Sequence, residues 1–109
     1  RCTAETTFGR PSPAVFNDKE FMEQCVEYAK ATLPQAQLFG GAHGMGSEDF
    51  GSISQACTSN YMMIGAAYGP LNECYGQHNP HVRFDENALP MSCALYASVA
   101  ANWLADNAE

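Results

Sequence analysis

The chain has 109 residues, 46 % of them apolar, which suits one small domain or a piece of a larger one and is too apolar for a disordered segment. A net charge of −7, with basic residues only at Arg1, Arg10, Lys19, Lys30 and Arg83, argues against nucleic acid or an anionic membrane surface as a partner. No apolar run approaches the roughly 18 residues of a membrane span.

Cys2 to Phe8 is rich in Thr and reads as an edge strand, and Gly9-Arg10-Pro11-Ser12-Pro13 then breaks regular structure. Asn17-Asp18 is a good N-cap for a helix from Lys19 to Thr32. Its apolar positions Phe21, Met22, Cys25, Val26, Ala29 and Leu33 recur at three- and four-residue steps, and Pro34 ends it. Gln37 to Phe39 is a short strand candidate, followed by the glycine-rich turn 40–46. A second helix is expected to start near Ser47 or Asp49 and to run to about Ala56. Tyr61-Met62-Met63-Ile64-Gly65 is continuously apolar, as a strand covered on both faces would be. The stretch from Ala66 to Val82 reads as loop. The last helix, expected over 88–105, has Asp85 or Asn87 as its cap and Pro90 in its first turn. Leu95, Tyr96, Val99, Ala100, Trp103 and Leu104 form its apolar stripe. Alternating helices and strands predict an α/β fold: a mostly parallel sheet flanked by helices, with 61–65 as an inner strand.

The five cysteines, at 2, 25, 57, 74 and 93, are odd in number and contain no Cys-x-x-Cys. Cys25 and Cys93 fall among apolar neighbours in helical patterns. Free thiols in a reducing compartment are the better reading, so a cytoplasmic location is expected. The opening Arg1-Cys2-Thr3, without Met, reads as cut from something longer.

Two polar clusters carry the chemistry. Gly44-Met45-Gly46-Ser47-Glu48-Asp49-Phe50 places glycines, a hydroxyl and two carboxylates at a helix start. A capped helix by itself explains that pattern, because Ser and Asp accept backbone N–H bonds and acids suit the positive end of the helix dipole. A functional reading needs a second polar group from elsewhere. His78 is one, in the loop between Gly69 and Val82, bracketed by Gly76 and Pro80; imidazole is a common ligand for divalent metals. His81 and His43 compete with it, and spacing does not rank His78 above His81. Asp85 and Glu86 cap and charge the last helix and receive no chemical role.

Four motifs occur in order: Met45-Gly46-Ser47-Glu48-Asp49-Phe50, Tyr61-Met62-Met63-Ile64-Gly65, His78-Asn79-Pro80 and Phe84-Asp85-Glu86-Asn87-Ala88-Leu89-Pro90. Together they resemble the C-terminal end of the dinuclear-metal aminoacylase and carboxypeptidase family, which includes hippurate, N-acyl amino acid and auxin-conjugate hydrolases. Pro11 to Asp18 resembles that family's re-entry from its lid domain. The resemblance implies that residues 1–16 end the lid domain and linker, and that 17–109 form the C-terminal part of a zinc-aminopeptidase-like catalytic domain. It makes His78 the last metal ligand, and it places Ser47, Glu48 and Asp49 in the substrate pocket or behind that ligand. It puts no catalytic residue in this segment. Two divalent metal ions are implied for the full enzyme: zinc, with Mn or Co as alternatives.

The implied reaction is hydrolysis of the amide bond of N-acyl amino acids or small peptides. It requires an activated water, a polarised carbonyl and a proton for the leaving amine. The general base and the early ligands of such enzymes have no counterpart here, so the isolated chain is expected to be inactive. Its implied partners are the remainder of its own catalytic and lid domains, a small substrate and a second subunit in a homodimer, without nucleic acid or membrane. Three departures bear on substrate class: Gln77 before the histidine, the extra His81-Val82 step, and the Gly69-Pro70-Leu71-Asn72-Glu73-Cys74 loop. From another class, the competing expectation is a small α/β ligand-binding or interaction module without catalysis.

Overall fold

The computed structural model describes residues 1–41 and 44–108. Its regular elements are α1 (Lys19–Thr32), α2 (Gly51–Ala56), a single 3-10 turn at Leu71–Glu73, and α3 (Ala88–Asp106). Local chemistry explains both long helices. The Asp18 carboxylate accepts the Phe21 amide at 2.9 Å while the Asp18 carbonyl accepts Met22, so the N-cap expected from sequence forms. Glu20 in the first turn and Lys30 in the last suit the helix dipole, and the chain turns at Pro34. At the start of α3, Asn87 holds the cap position but makes no side-chain cap bond. Asp85 serves instead, its Oδ1 accepting the Asn87 backbone amide at 3.0 Å and the side-chain amide at 2.8 Å. The far end closes when Asn107 donates its backbone and side-chain N–H groups to the Trp103 carbonyl.

The chain divides into two units: Arg1–Met22 with Phe39–Tyr61, and Glu23–Leu38 with the chain from Met62 onward. In the second unit, α1 and α3 run antiparallel. Tyr28 donates its hydroxyl to Asp106 at 2.6 Å, and Thr32 donates to Ser98 at 2.5 Å, so advancing along one helix means retreating along the other. Cys25 and Ala29, one turn apart on α1, are buried, as is Leu95 on α3. The expected α3 stripe is only partly covered. Val99, one turn beyond Leu95, is half-buried, whereas Tyr96 is 82 % and Leu104 63 % exposed. Positions 96, 100 and 104 lie roughly 60 to 180° round the helix from 95 and 99, on a face that faces solvent.

Tyr28 gives this helix pair a pH signature. Donation to Asp106, then burial, then the Asp106 charge push its phenol up to about 12. A folded-state pKa raised above the unfolded value of about 10 stabilises the fold fully below pH 10. That contribution fades as the pH rises from about 10 to about 12. Ultraviolet titration should therefore show a late-ionising phenol that Tyr28→Phe removes. An unchanged alkaline end of the titration in that variant would refute the assignment.

The expected α/β sheet is not formed. Among the described residues there is no strand; 2–8, 37–39 and 61–65 are all irregular. The one β pairing is an isolated antiparallel bridge between Ala67 and Phe84, beside an Asp85 N–H to Ala66 carbonyl bond of 3.0 Å. The physical reason is local at Tyr61, whose N–H and C=O are both taken by the Asn17 side-chain amide, at 2.8 and 3.0 Å. Beyond it, Met62 and Met63 are 36 % and 75 % exposed, so the apolar run has no layers over its two faces. A strand exists only with a ladder partner, and apolar content alone does not supply one.

Two smaller expectations also change. The second helix begins at Gly51 and not at Ser47 or Asp49, because 49–50 form a turn whose carbonyls receive the Ser52 and Ile53 amides. With its 19 residues, α3 is long and apolar enough to cross a membrane by length and composition, contrary to expectation; core helices meet the same criterion.

Candidate functional site

In the first unit, the segment leading into α2 holds Ser47, Glu48 and Asp49. Ser47 and Asp49 are exposed and Glu48 is half-buried. The two Glu48 oxygens have different partners: Oε1 accepts the Phe50 amide and Oε2 accepts the Tyr61 hydroxyl, both at 3.1 Å. The Tyr61 and Phe50 rings meet at 5.2 Å, tilted by 52°. Chiefly the Phe50 amide, and with it the Tyr61 hydroxyl, hold the Glu48 carboxyl below its ordinary range. In return, Glu48 pushes the Tyr61 phenol above its ordinary value. Glu48 thus stays ionised at neutral pH. Because its folded-state pKa is depressed, its stabilising contribution is present above the unfolded value and lost as the pH falls through the folded one.

The opening of α2 is fixed from the other side by the 13–18 segment. Phe16 donates its amide to Ser54 Oγ at 3.1 Å, and that hydroxyl donates to the Gly51 carbonyl at 2.9 Å. Gly51 is buried against Pro13; a Cβ there would lie 2.9 Å from the Pro13 carbonyl carbon and closer still to its oxygen. Asp18 donates its backbone N–H to the Ser59 carbonyl at 3.2 Å, beside the Asn17–Tyr61 pair.

His78 belongs to the second unit, in the loop after Gly69. It is exposed, and its φ of +68° makes it the one non-glycine residue among those described with a left-handed backbone. It is the third residue of a turn closed by the Asn79 N–H to Gly76 carbonyl bond of 3.3 Å. A left-handed third position normally selects glycine or asparagine, so a histidine there is held against a local cost. Asn79 braces the next step by accepting the His81 amide on its side-chain oxygen at 2.9 Å, and its carbonyl accepts Val82. His81 is engaged differently: its ring lies 5.5 Å from that of Tyr75. Cys74 Sγ sits 3.3 to 3.7 Å from the carbonyls of Tyr68, Gly69 and Pro70, closing the head of the loop. Arg83 lies over the Tyr68 ring at 4.1 Å. His43, the third histidine considered, is outside the described residues.

Among the described residues no three His, Cys, Asp or Glu side chains converge to hold a metal ion. The residues that sequence reasoning missed are Tyr61 and Asn17. Tyr61 reads from sequence as the start of an inner strand and Asn17 as a helix cap, and nothing in the spacing joins positions 44 residues apart.

The chain belongs to Peptidase family M20/M25/M40, which matches residues 2–102, as the motif resemblance implied. Members of that family are generally dinuclear-metal-dependent, and the chain's family is one of metal-dependent amidohydrolases.

It is similar to IAA-amino acid hydrolase ILR1-like 2 of Arabidopsis thaliana, at 30 % identity over 113 aligned positions, covering all of this chain and 26 % of the relative. It also resembles ILR1-like 6 of the same plant, at 36 % identity over 57 % of this chain and 13 % of the relative. A third, ILR1-like 4, is 32 % identical over 55 % of this chain and 14 % of its own length. The chain thus spans about a quarter of the length of the first of these relatives. No solved structure matches it.

Proposed function

We propose that this chain is the C-terminal segment of the catalytic domain of an amidohydrolase that cleaves the amide bond of N-acyl amino acids, with IAA–amino acid conjugates as the first substrates to try. The observation that carries the proposal is the similarity to an IAA-amino acid hydrolase along the whole of this chain. In this reading His78 supplies one metal ligand from its left-handed turn. Glu48 lines the substrate pocket, with Ser47 and Asp49 beside it. The general base and the remaining ligands come from the rest of the protein, which acts as a homodimer in the cytoplasm. Zinc is the proposed metal, with Mn and Co as competitors.

The test is the full-length protein assayed against a panel of N-acyl amino acids, including IAA conjugates, before and after chelation. Turnover that the chelator abolishes and added zinc restores supports the proposal; inertness towards every acyl amino acid, or turnover indifferent to chelation, overturns it. The 109-residue chain alone is expected to show no amidase activity with Zn, Mn or Co added. Metal-dependent turnover by the isolated chain would contradict the placing of the base and early ligands elsewhere.

A further inference from the structure

We infer that Tyr61 is the positioning residue for the Glu48 carboxylate, with Asn17 as the clamp that fixes Tyr61. The inference rests on the reading of Glu48 as a pocket residue. Glu48 follows a glycine-rich stretch, and Gly44 and Gly46 bring no side chain that could hold its carboxylate. Its orientation comes instead from two donors on different parts of the chain. Phe50 N–H holds Oε1 from two residues on, and Tyr61 O–H holds Oε2 from thirteen residues on. One donor on each oxygen fixes the plane of the carboxylate, which a single donor would leave free to rotate.

Tyr61 could not do this on a loose backbone. The Asn17 side chain accepts its N–H and donates to its C=O, and Asn17 sits beside the Asp18 cap of α1. The Phe50 ring braces the Tyr61 ring from the side. An ionised carboxylate has roughly four lone-pair sites, more than the Phe50 amide and the Tyr61 hydroxyl fill. The rest can accept an N–H donor, and the amide N–H of an N-acyl amino acid is of the right class. Tyr61 would thereby govern substrate fit through Glu48 without touching substrate.

The experiment compares Tyr61→Phe, Glu48→Gln and the double variant in the full-length protein, with steady-state kinetics on an N-acyl amino acid and thermal melting. Tyr61→Phe keeps the ring against Phe50 and removes only the hydroxyl. It should lower kcat/KM by about 5- to 20-fold, chiefly through KM, while the melting temperature moves by no more than about 2 °C. The double variant should be no worse than Glu48→Gln alone, because the hydroxyl then has no carboxylate to hold. Asn17→Ser, which loosens Tyr61 without touching Glu48, should raise KM in the same direction. Losses that multiply in the double variant, or wild-type kinetics in Tyr61→Phe beside an impaired Glu48→Gln, overturn the inference. Wild-type kinetics in Glu48→Gln defeat the pocket reading of Glu48 itself, a separate failure.

Discussion

Replacing His78 by alanine in the full-length protein is expected to cost at least about 100-fold in metal affinity and in turnover, while His81→Ala retains the metal and mainly alters substrate preference. The two histidines are three residues apart in one loop, yet their settings differ. His81 packs its ring against Tyr75, and His78 stands exposed on a left-handed backbone with no hydrogen bond among the described residues. A non-glycine residue in that conformation costs roughly 1–3 kcal/mol, a cost that local folding alone would remove by placing glycine there. Glycine substitution separates the two roles of the position. His78→Gly and His78→Ala should lose metal alike, but His78→Gly should be about 1 kcal/mol more stable than His78→Ala, since only alanine keeps a Cβ in the left-handed region. Metal analysis and thermal melting of the three variants settle the matter. Metal lost from His81→Ala and kept in His78→Ala would reverse the assignment.

Gly51→Ala should be the most damaging change at any described glycine. Alanine normally gains about 1 kcal/mol over glycine inside a helix. Here its methyl group would enter the Pro13 carbonyl, and the obstacle is backbone and not a side-chain end that can swing aside. Proline's fixed φ stiffens that segment further. Overpacking of this kind costs roughly 1–3 kcal/mol or more, so the clash outweighs the helical gain. The 13–16 segment would have to withdraw, and the Phe16–Ser54 bond would go with it. Gly46→Ala, five residues earlier, is the control: a Cβ there meets nothing within 4 Å, and its melting temperature should stay close to wild type. A Gly51→Ala protein that melts at or above the wild-type temperature would mean that the Pro13 contact does not constrain the helix start.

Both long helices were legible from sequence because their signals lie within a few residues of their ends. Asp18 before Lys19, Pro34 after Leu33, and Asp85 with Pro90 around Ala88 act through bonds the helix makes with its own neighbours. The family was legible for a related reason: the order of the glutamate–aspartate turn, the histidine motif and the last helix start is a property of the chain itself, and the family's match covers residues 2–102. The sheet was misread because Tyr61 to Gly65 carries the apolar content of a buried strand, while a strand is made by a partner. Here the Asn17 side chain takes the place that a neighbouring backbone would fill at Tyr61.

The chain's own local signals marked Glu48 and His78 as candidate site residues and set where the two long helices begin and end, because short-range capping acts within a few residues. Long-range folding alone brings Tyr61 to Glu48, Asn17 to Tyr61 and Pro13 to the start of α2. Those contacts join positions 13, 44 and 38 residues apart, where sequence spacing carries no force and only folding brings donor to acceptor.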